Sequence, residues 1–135
     1  MIVMDCSAAV EIARNTPRGQ GLLSLIEPTD KIIAPSWVQA EVRNVFWKYV
    51  HVGAMTTELA LERLAVAEAL ICDFIPISNY KQEAFFEAIN HDHSFYDMLY
   101  VCMARRNGAT LFTLDKRLIE ICIQAKVNCV DEVLL

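Results

Sequence analysis

Apolar and polar positions along the chain alternate between two patterns. Short runs of consecutive apolar residues, typical of strands buried on both faces, recur at five places. These predicted strands are Ile2–Met4 and residues 31–34, 74–77, 110–113 and 127–130. Pro76 lies in the third run, and because proline cannot donate a ladder hydrogen bond, we expect this strand at a sheet edge or expect it to end there.

Longer segments with helical spacing of apolar residues separate the strands. The predicted helices span residues 7–14, 20–26, 35–50, 57–71, 80–90, 95–107 and 115–125. A turn at residues 17–19 is expected to lead into the second helix. Ser36 with Gln39 fits a capping box at the start of the third, while Ser94 and Gly108 fit the two ends of the sixth.

Strands that alternate with helices over connections of this length predict an α/β fold. The sheet is expected to be mostly parallel with helices on both faces. By length, the chain is expected to form a single domain over residues 1–135. In such sheets the functional crevice lies beyond the carboxyl ends of the strands.

Composition agrees with a compact fold, since 55% of the residues are hydrophobic and 21% are charged. No apolar run reaches the ~18 residues of a membrane span, and the first residues lack the basic region and cleavage site of a signal peptide. The five cysteines show no CxxC pairing, which disfavours zinc sites and disulfide frameworks. We therefore interpret them as small buried hydrophobes of a cytoplasmic protein.

Four acidic residues stand near the expected crevice. Asp5 follows the first strand, and Asp115 lies two residues beyond Thr113 at the end of another. Glu41 lies on the second turn of the helix after the second strand, and Asp97 on the first turn of the helix that precedes the strand at 110–113. The first two belong at the carboxyl edge, whereas the other two reach it only if their helices pack beside it.

The segments around these four acids resemble the PIN-domain family and, within it, the VapC-type toxin ribonucleases of toxin–antitoxin pairs. Asp5 lies in IVMDCS, Glu41 in PSWVQAEV, Asp97 in SFYDMLY and Asp115 in TLDKR. The four motifs stand in the family's order, and the resemblance covers nearly the whole chain. It implies a three-layer α/β/α sandwich with a central, mostly parallel sheet (PIN-like), a divalent metal ion at the acidic cluster and cleavage of single-stranded RNA. It also implies a cognate antitoxin protein and a homodimer.

The acids suit a hard cation, Mg²⁺ (or Mn²⁺), which prefers oxygen ligands and retains several waters. We predict Asp5 and Asp97 as the primary metal ligands, with Glu41 and Asp115 holding metal-bound waters or a second, weaker ion. Such an ion lowers the pKa of a bound water and supplies hydroxide to the phosphodiester. The expected catalytic residues are thus the same four acids, and the number of ions stays open.

Three polar side chains are expected to support the acids. Ser7 and Thr113 offer hydroxyls, and Asn44 lies one helical turn beyond Glu41. Ser7 fits a helix cap as well. Tyr100 departs from the small residues that relatives often carry near this acid, and we expect it to alter packing rather than metal ligation.

The net charge of −5 is unusual for a nucleic-acid binder. Four of the negative charges are the candidate site residues, and without them the balance is −1. Metal ions bound among carboxylates turn a repulsive pocket into one that accepts phosphate. Charge therefore does not exclude RNA, but it argues against broad, salt-driven coating of duplexes.

Each acid also has a structural interpretation. Asp115 fits an N-cap, and Asp97, three residues after Ser94, fits the acidic end of a capping box. Glu41 near a helix start suits the helix macrodipole. Asp5 is the hardest to explain structurally, because a charge that ends an apolar strand serves little packing purpose.

Two histidines frame Asp92 in a polar loop that also fits acid–base or metal chemistry. No cysteine or third histidine stands at ligand spacing, so we interpret His91 and His93 as surface-loop residues. Asp92 is a rival to Asp97 as a site residue, but the helical and family patterns favour Asp97.

The runner-up function is a non-catalytic module of the same fold that binds RNA or protein. A phosphotransfer site of the haloacid-dehalogenase type requires a second aspartate where this chain has Ser7, and no P-loop motif occurs.

The third predicted helix carries more aromatic residues than a single buried stripe needs, namely Phe46, Trp47 and Tyr49. They fit either a partner surface, for an antitoxin or a second copy, or ordinary core packing.

Overall fold

One parallel sheet forms the centre of the protein. The computed structural model describes residues 1–130, so the last five residues of the predicted domain lie outside it. The sheet strands are β1 (Ile2–Met4), β2 (Ile32–Pro35), β3 (Asp73–Ile75) and β4 (Thr110–Phe112). Their order is β3-β2-β1-β4, and every neighbouring pair is parallel, which confirms the predicted α/β class.

Helices cover the sheet, and six of them form two packed groups. The helices are α1 (Cys6–Ala13), α2 (Pro17–Ser24), α3 (Val38–His51), α4 (Thr57–Ala69), α5 (Lys81–His91), α6 (Phe95–Asn107) and α7 (Lys116–Gln124), with a short 3₁₀ helix at Ile77–Asn79. Helices α1 to α4 pack on one another, and α5 packs on α6. Because the chain moves from β1 to β3 in one direction and then returns to β4, right-handed crossovers place these two groups on opposite faces.

Helix α6 is the most deeply buried element of the helical layers. Seven consecutive residues, Met98 to Ala104, are buried where the helix crosses β1, β2 and β4. A helix that is apolar on all sides belongs in a core rather than at a surface. Its burial holds the start of α6 at a fixed place against the sheet. None of the helices in residues 1–130 is long and apolar enough to cross a bilayer.

Several predicted ends are confirmed. Ser94 caps α6 through its hydroxyl, and Gly108 ends that helix with a φ of +57°. Pro76 directly follows β3, which is an edge strand. Of the cysteines, Cys102 and Cys122 are buried as expected, whereas Cys72 is exposed.

Two predicted helix starts were wrong. Residues 17–19 form the first turn of α2 rather than a preceding turn: Thr16 caps the helix and accepts a hydrogen bond from the Gly19 N–H at 3.0 Å. Proline fits this first turn because its missing N–H would be unpaired there in any case. The capping box at Ser36 does not form, since α3 has Trp37 at its N-cap position and no side-chain cap.

The predicted strand at residues 127–130 is reduced to a single parallel bridge between Cys129 and Leu111. Leu111 donates its N–H to the Asn128 carbonyl at 2.8 Å and accepts from the Val130 N–H at 3.0 Å. Within the described residues, this segment therefore extends the sheet beyond β4 by one bridge and not by a full strand.

Candidate metal centre

The four predicted acids meet at one cavity of about 220 Å³ at the carboxyl edge of the sheet. It is lined by Asp5, Cys6, Ser7, Glu41, Val45, Asp97, Tyr100 and Asp115. Strands β1 and β4 are adjacent and parallel, with Met4 opposite Phe112, so the residues that follow them emerge side by side. Helices α3 and α6 bring the other two acids to the same edge.

Asp5 is buried, with 5% of its surface exposed, and it is the N-cap of α1. Its Oδ1 accepts hydrogen bonds from the Ala8 N–H at 2.9 Å and from the Ser7 hydroxyl at 2.6 Å. The expectation that this residue has little structural role was therefore wrong. Burial raises the pKa of Asp5 from 3.8 to about 6, although the bonds from Ser7, Thr113 and Ala8 oppose the shift.

The two predicted supporting hydroxyls join the ends of β1 and β4. Ser7 donates to Asp5 and accepts from the Leu114 N–H at 2.9 Å, so it links residues far apart in sequence. It is not the cap of α1, which corrects that alternative. Thr113 is fully buried, bonds to Asp5, and accepts from the Asp115 N–H at 3.1 Å. These bonds fix the position of the Asp5 carboxylate.

Asp115 caps α7, as the structural interpretation proposed. Its Oδ1 accepts from the backbone N–H groups of Arg117 at 2.9 Å and Leu118 at 3.2 Å. Because both cap bonds use Oδ1, the second carboxylate oxygen can act as a ligand in the cavity. Capping and metal binding are therefore compatible in this residue.

Asp97 bonds to a histidine rather than to the first turn of its own helix. Its Oδ2 lies 2.9 Å from Nε2 of His93, which precedes the Ser94 cap of α6. Burial raises the pKa of Asp97, the bond and charge of His93 lower it, and Asp115 raises it. Sequence reasoning treated His93 as a surface residue, although only 17% of its side chain is exposed.

Glu41 accepts a hydrogen bond from the Tyr100 hydroxyl. Burial raises the pKa of Glu41 from 4.5 to about 7, the Tyr100 bond opposes the shift, and the charges of Asp5 and Asp97 add to it. Tyr100 thus contacts the site directly and does more than alter packing. Its position three residues after Asp97, on the same helix face, is a signal that could have found it.

The donor set fits a divalent cation. Three carboxyl groups that face one cavity have pKa values raised by burial and, in part, by one another's charge. A bound cation offsets this cost, because the ionised forms then become ligands. The oxygen-rich composition matches what Mg²⁺ and Mn²⁺ bind.

Asn44 does not join the cavity. It is exposed on α3, and the wall position one turn beyond Glu41 is occupied by Val45.

An aromatic pair lies one helical turn before Glu41. The ring of Trp37 stacks on that of Tyr96, with centroids 4.4 Å apart and planes at 13°. Both rings remain partly open to solvent, at 37% and 47% exposed.

Comparisons with known proteins agree with this architecture. The family model of the PIN domain matches residues 2–124. Ribonuclease VapC3 of Pyrobaculum aerophilum is 27% identical over 124 residues, which cover 88% of this chain and 92% of that protein. The crystal structure of PAE2754 from the same organism superposes with a TM-score of 0.70 at 20% identity, over 89% of this chain and 78% of that one. The similarity to PAE2754 concerns the fold alone.

Proposed function

The chain belongs to the PIN-domain family, and on this basis we propose that it is a metal-dependent endoribonuclease. The proposed substrate is single-stranded RNA, and the proposed role is that of the toxin in a toxin–antitoxin pair. The observation that carries the proposal is the convergence of four carboxylates, from four separate parts of the chain, on one cavity. The resemblance to Ribonuclease VapC3 supports the choice of RNA.

A divalent ion at this cavity would be held by carboxylates among Asp5, Glu41, Asp97 and Asp115, and it would supply Lewis-acid chemistry for hydrolysis of a phosphodiester. Asp5 and Asp97 would supply ligand oxygens, and the Ser7 hydroxyl fixes the carboxylate of the first. Asp115 supplies the oxygen that its cap leaves free. Glu41, held in the cavity wall by the Tyr100 hydroxyl, is placed to bind the ion directly or, when ionised, to accept a proton from the attacking water.

The purified chain, stripped of metal, tests this proposal. With Mn²⁺ added, it should cleave short single-stranded RNAs carrying a fluorescent label, and excess EDTA should stop the cleavage. Calorimetry on the same preparation should detect Mn²⁺ binding. A chain that binds RNA but neither binds Mn²⁺ nor cleaves would instead support the runner-up, a non-catalytic binding module.

Replacement of Tyr100 by phenylalanine should weaken metal binding by about 10-fold. The variant loses the hydroxyl donor that favours the ionised form of Glu41. The Glu41 carboxyl group must then release its proton at a greater cost in free energy before it can bind a metal ion. Calorimetric titration with Mn²⁺ at neutral pH measures the change. Tyr80→Phe is the matched control, because that hydroxyl bonds to Asn107 and is not part of the cavity wall. Equal losses of Mn²⁺ affinity in Tyr100→Phe and Tyr80→Phe would contradict the role assigned to the Tyr100 hydroxyl.

The stacked rings of Trp37 and Tyr96 support single-stranded RNA as the substrate. Lysine and arginine residues are outnumbered by acids, 12 to 17, and several are already paired with acids, as Arg43 is with Glu68 and Arg105 with Glu83. Exposed aromatic rings bind unpaired bases by stacking, at about 1–3 kcal/mol per base, without needing positive charge. We propose that this aromatic pair holds a base next to the scissile phosphate.

Replacement of Trp37 by alanine should accordingly raise the KM for a short single-stranded RNA by about 10-fold, with a smaller effect on kcat. Steady-state cleavage in saturating Mn²⁺ measures both constants. Trp47→Ala is the control, because Trp47 is also exposed, at 57%, but stacks on His51 toward the far end of α3. If the two variants raise KM equally, the stack at Trp37 has no special role in binding RNA.

A cognate antitoxin and a homodimer remain part of the proposal, as does a cytoplasmic location. The support is an apolar surface between α3 and α4, where a groove of about 230 Å³ is walled by Trp47 and Leu61. Their exposed fractions are 57% and 62%, whereas the neighbouring Phe46 is buried. The aromatic residues of α3 thus divide between the core and a surface that suits a protein partner.

A further inference from the structure

His93 is held close to the acidic cavity by the loop between α5 and α6. Asp92 ends α5 in the left-handed conformation, with φ of +48°, and the His93 N–H then donates to the Ala88 carbonyl at 3.1 Å. This backbone path brings the imidazole beside α6, where Nε2 lies 2.9 Å from Oδ2 of Asp97. With 17% of its side chain exposed, His93 is largely withdrawn from solvent.

The imidazole faces two carboxylates at the spacing of metal ligands. A ring nitrogen of His93 and one oxygen each from Asp97 and Asp115 all lie within 4.8 Å of one another. In residues 1–130 this is the one group of three or more histidine, cysteine or acidic side chains that meets this condition. Ligand atoms around an octahedral ion with bonds of ~2.1 Å lie roughly 3 Å apart when adjacent and roughly 4.2 Å apart when opposite.

We propose that His93 is a direct ligand of the divalent cation and that it makes the site selective for Mn²⁺ over Mg²⁺. The proposal rests on the metal centre proposed above and specifies its donor set as mixed nitrogen and oxygen. Imidazole nitrogen binds first-row transition metals well, whereas Mg²⁺ is reluctant to exchange oxygen ligands for nitrogen. A site formed only by the four acids would lack this preference.

The competing arrangement has His93 outside the coordination sphere, donating a hydrogen bond that orients Asp97. In that case, the histidine would support Mg²⁺ and Mn²⁺ equally, since it would act only through a shared carboxylate. The proximity of the ring to Asp115 as well as to Asp97 favours direct ligation, because an orienting partner needs to reach only one of them.

Electron spin-echo modulation of the Mn²⁺-loaded full chain tests the ligation without reference to activity. The wild type should show the coupling of a directly bound imidazole ¹⁴N, and His93→Gln should lose it. The chain has three histidines, which keeps the assignment simple. His91→Gln is the matched control, because that ring lies only two residues away, at the end of α5, but pairs with Glu87 at 3.5 Å, and its signal should match the wild type. A wild-type spectrum without ¹⁴N coupling would overturn the proposal.

Calorimetry tests the selectivity. His93→Gln should weaken Mn²⁺ binding by about 10- to 100-fold and Mg²⁺ binding by less than about 3-fold. Equal losses for both ions would assign His93 to the outer arrangement. The two proposals fail separately: nitrogen-ligated Mn²⁺ without RNA cleavage would refute the nuclease, whereas metal-dependent cleavage without nitrogen coupling would refute only the role of His93.

Discussion

Replacement of Asp5 by asparagine is expected to lower RNA cleavage by on the order of 10²–10³-fold, the scale on which removal of one fixed electrostatic group acts. Asparagine keeps an oxygen that can accept from the Ala8 N–H and the Ser7 hydroxyl, so the cap of α1 should survive. A neutral amide, however, is a poorer ligand for a hard cation than a carboxylate. Cleavage of a labelled single-stranded RNA in Mn²⁺ measures the loss.

The same variant should fold at least as stably as the wild type when both are free of metal at neutral pH. Asp5 is 5% exposed, and ionising a carboxyl group there costs free energy that an amide does not incur. Thermal unfolding on the preparation used for the cleavage assay separates lost chemistry from lost structure.

Asp92→Asn is the matched control for Asp5→Asn. It makes the same chemical change at an exposed residue outside the cavity, and asparagine tolerates the left-handed conformation found there. Cleavage by this variant should equal that of the wild type. If both variants lost activity to the same degree, the effect would belong to net charge, and the assignment of Asp5 would be wrong.

The metal-free protein is expected to lose stability as the pH rises from about 4 to about 8. The pKa of Asp5 is raised from 3.8 to about 6 and that of Glu41 from 4.5 to about 7 in the folded state. A group with a raised folded-state pKa contributes stability that is fully present below its unfolded-state pKa. That contribution is lost as the pH rises through the folded-state pKa, because unfolding then releases the proton.

Asp5 alone should account for on the order of 3 kcal/mol of this loss. Urea unfolding in EDTA at pH 4 and pH 8 measures it, and a higher stability at pH 8 would contradict the pKa shifts. Added Mn²⁺ should restore stability mainly at the higher pH, where the ionised acids can bind it. In Asp5→Asn, the pH dependence in EDTA should be reduced.

Local chemistry explains which parts of the fold were predictable. Apolar runs locate β1 to β4, although the run at residues 127–130 forms only a bridge. Ser94 and Gly108 fix the ends of α6, because caps act on neighbouring backbone groups. The start of α3 was misplaced since Ser36 and Gln39 match a capping box in sequence. In the structure, the Ser36 N–H instead donates to the Ile75 carbonyl at the end of β3, a contact that local sequence does not reveal.

The candidate site likewise contains residues whose place the sequence predicts and residues whose place depends on packing. The sequence by itself determined that Asp5 and Asp115 belong at the carboxyl edge, because residues that follow parallel strands emerge on the same side of a sheet. Only the tertiary structure decided that Glu41 and Asp97 reach this edge, since that depends on how α3 and α6 pack. The periodicity of a helix shows which residues share a face but not which neighbour that face meets.

The contacts that refine the site follow the same rule. Tyr100 meets Glu41 across 59 residues, and Ser7 meets the Leu114 N–H across 107. His93 reaches Asp97 over only four residues, yet it does so because the loop after α5 turns through Asp92 in the left-handed conformation. The sequence therefore determined which acids to consider and the kind of sheet that positions them. The packing of helices on that sheet decided their hydrogen-bond partners and pKa values, because burial and proximity arise only when distant segments come together.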